Sequence, residues 1–190
     1  MDLICKLTDK DIGEEFEKIE NPKLRIGARG IVIRDDGKIA VFYKTTTNQY
    51  KLPGGGLEGD ETLEEAFKRE VLEETGCEVE IIKKLGITEE YKTLTKFKQI
   101  SHVFVGKVIK DTKKLNLTEG EKAVKSQLLW EEPTKALEMI RGCYDNLVAS
   151  EYESVYQIKF VILRDSKILE TYINSKRKIR SNANRKFDNI

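Results

Sequence analysis

The chain has 190 residues, 39% of them hydrophobic and 35% charged, with 34 Lys+Arg against 33 Asp+Glu. That length suits one domain with additions, and the apolar share supports a packed core and excludes wholesale disorder. Near-neutral charge excludes a polyelectrolyte built for DNA. Charge is nonetheless unevenly placed: residues 58–74 are rich in Glu, while Lys176, Arg177, Lys178, Arg180, Arg185 and Lys186 crowd the end. The cysteines, Cys5, Cys77 and Cys143, are odd in number and form no CxxC pair. They argue against a disulfide framework or a zinc site and fit a reducing cytoplasm. The N-terminal residues lack the apolar run of a signal peptide, and no stretch approaches the roughly 18 apolar residues of a membrane span.

In chain order, residues 1–22 hold a short apolar start and then DIGEEFEKIENP, which predicts a minor helix or an irregular arm. RIGARGIVIRDDGKIAVFYK follows as two β-rich runs joined by Asp35-Asp36-Gly37, a turn in which glycine accepts positive φ. Leu52-Pro53-Gly54-Gly55-Gly56 is a glycine-rich loop. A helix is predicted from Thr62 to Thr75, with Thr62 as its cap, Glu65 closing a capping box and Gly76 as its stop. CEVEIIKKLGITEEY and KQISHVFVGKVI predict further strands, as does the shorter KSQLLWEE. Pro133 opens a helix over about 133–141, since proline is tolerated in a first turn. Residues 152–173 carry apolar side chains at helical spacing and predict a C-terminal helix, with a break near Asp165. The apolar stripe of that helix must be buried, on its own sheet or in a homodimer; same-chain packing is favoured because short connections leave consecutive elements adjacent. The order of elements defines an α+β domain with a mixed sheet between helices.

The chemistry is concentrated in GGLEGDETLEEAFKREVLEETGC, residues 55–77. Glu70, Glu73 and Glu74 stand at i, i+3 and i+4, which puts them on one helix face within about a turn. Three clustered carboxylates repel one another unless a cation joins them, and they are the hard oxygen donors Mg²⁺ prefers when it shares its sites with water and phosphate. Glu61 precedes the helix, where the glycine loop can fold it back toward that face. Gly54, Gly55 and Gly56 allow close backbone approach, with N–H groups available to phosphate. Arg69 is placed to pair with a carboxylate and orient it. A solvated, Glu-rich helix face is the ordinary reading of such a cluster; here the spacing argues against it.

The pattern G-x5-E-x7-R-E-U-x-E-E-x-G-U, with U aliphatic, is the signature of the Nudix family. The sequence matches it with Gly55, Glu61, Arg69, Glu70, Val71, Glu73, Glu74 and Gly76, so the chain resembles a MutT-like Nudix hydrolase over about residues 24–141. Cys77 departs from the final aliphatic position; cysteine packs as a small hydrophobe, and a buried structural thiol is expected there. The resemblance implies a Nudix α/β/α sandwich; with the C-terminal helix added from the residues' own pattern, the chain divides into an arm (1–22), the Nudix domain (23–145), a helical extension (146–173) and a basic tail (174–190). It implies a pyrophosphohydrolase in which Glu70, Glu73 and Glu74 hold Mg²⁺ (Mn²⁺ substituting), Arg69 orients them, and Gly55 and Glu61 support the site.

Other positions stay open. The general base is Glu70, or Glu119 or Glu121 of LTEGEKA, for which a solvated turn is the competing reading. Arg29 is a candidate for substrate phosphate, against surface ion pairing. Tyr91 is a candidate for stacking on a base and Tyr50 for lining the cleft, each against plain packing. His102 alternates with apolar neighbours and is expected in the core. A nucleoside triphosphate cleaved to monophosphate and pyrophosphate is the leading substrate expectation. The rivals are a non-catalytic nucleotide-binding module, and a hydrolase of RNA 5′ ends recruited through the basic tail; nucleic acid is otherwise not an expected partner.

Overall fold

The computed structural model describes residues 2–116 and 125–187, with side chains to residue 178. Its strands are β1 (Leu3–Leu7), β2 (Lys23–Ile33), β3 (Ile39–Lys44), β4 (Gln49–Lys51), β5 (Gly54–Gly56), β6 (Cys77–Lys92), β7 (Phe97–Asp111) and β8 (Ser126–Glu131). Three helices, α1 (Leu63–Thr75), α2 (Pro133–Gly142) and α3 (Val155–Phe187), join them. The strands form a mixed eight-stranded sheet in the order β1-β6-β7-β2-β3-β4, with β5 on β2 and β8 on β3.

Period-two alternation sorts the sheet's side chains between two faces. Ala28, Val32, Ala40 and Phe104 pack under α1 with Ala66, Phe67 and Val71. Ile31, Ile39, Val41, Val103 and Val105 lie on the other side, against Ala136 and Ile140 of α2 and Ile158, Ile162 and Leu169 of α3. The molecule is thus an α/β/α sandwich. Thr62 caps α1 through the Glu65 N–H with a full capping box, and Gly76 ends it at φ 68°.

Three expectations change. Residues 1–22 are not an arm alone: β1 pairs in parallel with β6, and Asp9–Ile12 form a 3₁₀ turn. The alternation there is short, and its partner lies some eighty residues on, so no local pattern announces the strand. Residue 165 does not break the C-terminal helix, because Asp165 is buried and accepts the Leu52 N–H at 2.8 Å, a polar contact within a continuous helix. The helix also runs past Ile173 into the basic segment, as far as Phe187; lysine and arginine are good helix formers once a helix is under way. Among the described residues, no helix is long and apolar enough to cross a membrane.

The sheet also makes the cleft. β2 and β3 pair only at Ile33↔Ile39. Beyond that point β2 stays with β7 over Lys23–Ile33 and takes β5 on its other side. β3 instead pairs with β4 and β8. The space between the diverging strands opens over Glu70 and Glu74 of α1.

Candidate active site

The glycine loop and α1 form the floor. Gly54 to Gly56 pair with Arg29 to Gly27 of β2, so close that a Cβ at Gly27 or Gly54 would collide with backbone. A Cβ on Gly55 would land in the Glu70 carboxylate. Glycine is therefore required at residue 55 to let a side chain of α1, not a ligand, approach the strand.

Arg69 is the hub of the box. Its guanidinium donates to Glu61 at 2.7 and 3.0 Å, to Glu70 at 3.0 Å, to Glu73 at 3.3 Å and to the Gly56 carbonyl at 3.0 Å. The hydrogen bond with Glu61 is the largest influence on both partners, holding Arg69 above the usual arginine range and Glu61 below the usual carboxylate range. Glu74 is 1% exposed and is gripped by Lys51 Nζ at 2.6 Å and the Gly54 N–H at 2.8 Å. Glu70 behaves oppositely to Glu61. Burial pushes its carboxyl above the usual range, and the nearby Arg69 and Lys51 only partly offset this.

The three helix carboxylates share a face without converging on one point. Among the described residues, no three His, Cys, Asp or Glu side chains close into a ready-made cage. Like charges separate, and each takes the nearest cation: Glu70 and Glu73 turn to Arg69, and Glu74 to Lys51. The donor set still fits a hard divalent ion. It is all oxygen, and Glu70 and Glu74 both line the space over this floor.

Two adjoining chambers lie over this floor, each of about 330 Å³. One is lined by Glu70, Glu74 and the backbone of Gly54–Gly56. The other is lined by Arg29, Lys44, Lys92, Gln99 and Arg164. Arg25, Lys51, Gly54 and Gly55 form the wall they share.

Of the remaining sequence candidates, Arg29 is in the second chamber. It is 5% exposed and donates to Ser101 Oγ at 3.0 Å, so it is no surface ion-pairing residue. Tyr50 is elsewhere: it stacks on Tyr43 with centroids 4.4 Å apart and packs on the core, while its neighbour Lys51 faces the box. Tyr91 also points away, donating to Glu89 at 2.9 Å and lying under Lys6 and Lys98. Strand alternation separates each tyrosine from the site-facing lysine next to it. Glu119 and Glu121 lie outside the described residues. His102 is half-buried, and burial lowers its imidazole below the ordinary range. Cys77 is buried, its thiol pushed up by desolvation.

Lys51, Lys92 and Arg164 did not stand out in the sequence. Lys51 carried a usable signal, since it stands three residues before the glycines. Arg164 carried none, because helical periodicity cannot tell a buried arginine from an exposed one.

The NUDIX domain model matches residues 23–149, and the chain belongs to that family. Among curated relatives, a "MutT-like protein" of Streptomyces ambofaciens is 38% identical over 80 residues, 42% of this chain and 50% of the relative. A "Putative 8-oxo-dGTP diphosphatase" of Bacillus subtilis (strain 168) is 33% identical over 82 residues, 43% of this chain and 52% of the relative. The chain thus spans about half the length of the curated relatives it matches. Among solved structures, a NUDIX hydrolase from Nitrosomonas europaea has a TM-score of 0.58 at 19% identity, covering 81% of this chain and 91% of that one. The solution structure of the E. coli ORF135 protein has a TM-score of 0.51 at 21% identity, covering 84% and 96%. These two likenesses establish the fold.

Proposed function

We propose that the protein is a divalent-metal-dependent pyrophosphohydrolase that cleaves the diphosphate linkage of a nucleotide, with a nucleoside triphosphate as the leading substrate. The observation that carries this reading is the set Glu70, Glu73 and Glu74, tied by Arg69 and Lys51 to the glycine loop. Mg²⁺ is the preferred ion, with Mn²⁺ substituting. Glu70, Glu73 and Glu74 would hold it, and it would neutralise phosphate charge and acidify a water.

The chain's own groups do the rest. Arg69 fixes the rotamers of Glu70 and Glu73 and ties Glu61 and the Gly56 carbonyl to them. Arg25 and Lys51, on the wall between the chambers, orient the diphosphate by charge. Among the described residues Glu70 is the carboxylate we assign to take the water's proton. Its side chain lies against the glycine loop and lines the first chamber, where the attacked phosphate would sit.

The test is a nucleotide panel assayed with Mg²⁺, with Mn²⁺ and with chelator. The expected result is release of phosphate or pyrophosphate only with metal, and a loss of at least about 100-fold in kcat for Glu73→Gln with an unchanged circular dichroism spectrum. Nucleotide binding without turnover of any panel member would favour a non-catalytic module instead.

A further inference from the structure

The second chamber adjoins the first but is not lined by Glu70, Glu73 or Glu74, and it is rich in cations. Arg25, Arg29, Lys44, Lys51, Lys92 and Arg164 all line it. Carboxylates answer four of the six: Lys44 pairs with Glu153 at 2.6 Å, Lys51 with Glu74 at 2.6 Å, Arg164 with Asp165 at 2.8 Å, and Lys92 with Glu90 at 3.6 Å. Arg25 and Arg29 have no carboxylate within ion-pair distance among the described residues. For exposed Arg25 this matters little. For Arg29 it is costly, because the desolvation of this buried cation is only partly offset by the Ser101 hydroxyl and by the more distant Asp165, Glu90 and Glu74. Burial pulls Arg29 down to about 10, with the neighbouring Arg164 adding to the effect.

The lining also excludes a nucleobase as the natural occupant. A base seeks an aromatic face or an apolar slot. Tyr152 is the one aromatic among the described lining residues, and it is 58% exposed at the rim. Deeper in, Gln99 and Arg164, 7% and 2% exposed, are polar donors held in place by Ser101, Asp165 and Glu90. The forked donors of arginine match phosphate geometry.

We infer that this second chamber binds a phosphate group that does not react. The preferred substrate then carries a third phosphate beyond the scissile diphosphate. That group is either the terminal phosphate of a triphosphate or a phosphate monoester on the sugar. The inference rests on the hydrolase reading for the occupant of the first chamber. α3, through Arg164, and the segment that leads into it, through Glu153, thereby become part of substrate selection.

Two measurements keep the two readings apart. The first is calorimetric titration in EDTA with inorganic tripolyphosphate and with pyrophosphate, which needs neither metal nor turnover. The wild-type protein should bind tripolyphosphate at least about tenfold more tightly. Arg29→Gln should erase most of that advantage, and so should Lys92→Gln, each checked for folding by its melting curve. Lys110→Gln, which removes an exposed lysine paired with Glu78 outside the chamber, should preserve it. The second measurement compares kcat/KM for GTP against GDP and for NADPH against NADH, pairs that differ by one phosphate at the two positions. A preference of about tenfold or more, residing in KM, is expected in one pair and identifies the source. A tripolyphosphate advantage that survives both glutamine substitutions, or equal kcat/KM within both pairs, overturns the inference. Tight, Arg29-dependent binding with no hydrolysis of any substrate supports the chamber and overturns the hydrolase reading.

Discussion

Gly55 shows how one atom governs the box. Its missing side chain leaves room for the Glu70 carboxylate, which in turn lies within reach of Arg69. Gly55→Ala keeps an allowed backbone but must swing Glu70 away. Displacing a catalytic group by about 1 Å costs on the order of 100-fold in rate. A loss of that size in kcat/KM, with little change in melting temperature, is the expected outcome, measured by steady-state kinetics and a thermal scan. The Arg69–Glu73 pairing was legible in the sequence because it is local, at i,i+4 of one helix; Glu74's partners, Lys51 and Gly54, are 23 and 20 positions away and were not. Arg29 was misjudged because its burial comes from β7 and α3, which no window around residue 29 contains. For Tyr50 and Tyr91 the packing alternative holds, and the choice could not be made from the sequence for a related reason. Alternation says that neighbours face opposite ways, but it does not say which neighbour faces the cleft.

At the scale of elements, α3 joins the core and the cleft. Its apolar side fills one layer of the sandwich, while the neighbouring Arg164 and Asp165 are buried among polar groups. Asp165 accepts both the Leu52 N–H and the Arg164 guanidinium, fixing the segment that leads into the glycine loop. Removing one partner of such a buried network costs about 3–5 kcal/mol. Asp165→Ala should show a loss of that order in urea unfolding, and the folded fraction should have a raised KM because Leu52 is no longer held. The helix's far end is a different matter. A chain ending after Ile173 keeps every side chain named in the core and the chambers, so its kcat/KM should match the full chain at low and at high salt. A salt-dependent drop would instead assign the basic segment a part in binding. The helix itself was visible in its apolar spacing. Its continuity through Asp165 was not, because the compensating donor lies 113 positions away.

For the whole molecule, residues 7–12 meet the start of α3. Leu7 and Ile12 enclose Phe160 of α3, and the Tyr156 hydroxyl donates to Asp9, which also accepts the Thr93 N–H and hydroxyl. Phe160 is fully buried there. Phe160→Ala should cost about 3–5 kcal/mol, and urea unfolding should show β1 and the central sheet lost in one transition, not two. The sandwich was predictable from the alternation of strands and helices. The docking of residues 3–12 was not, since it depends on a parallel pairing with a strand whose own position is set by the rest of the sheet.

The sharing of one core layer by α3 has a consequence for how the chain is made. Synthesis delivers the sheet first, with Ile31, Val41, Val103 and Val105 facing a layer that Ile158, Ile162, Ile168 and Leu169 have yet to fill. Until α3 has emerged as far as Leu169, an apolar sheet face stays open to water and to other nascent chains. The same helix supplies Arg164 to the cationic chamber, so this layer of the core and the complete cleft are acquired together. A stalled or prematurely ended chain lacking α3 is therefore a client for chaperones, not a weak enzyme.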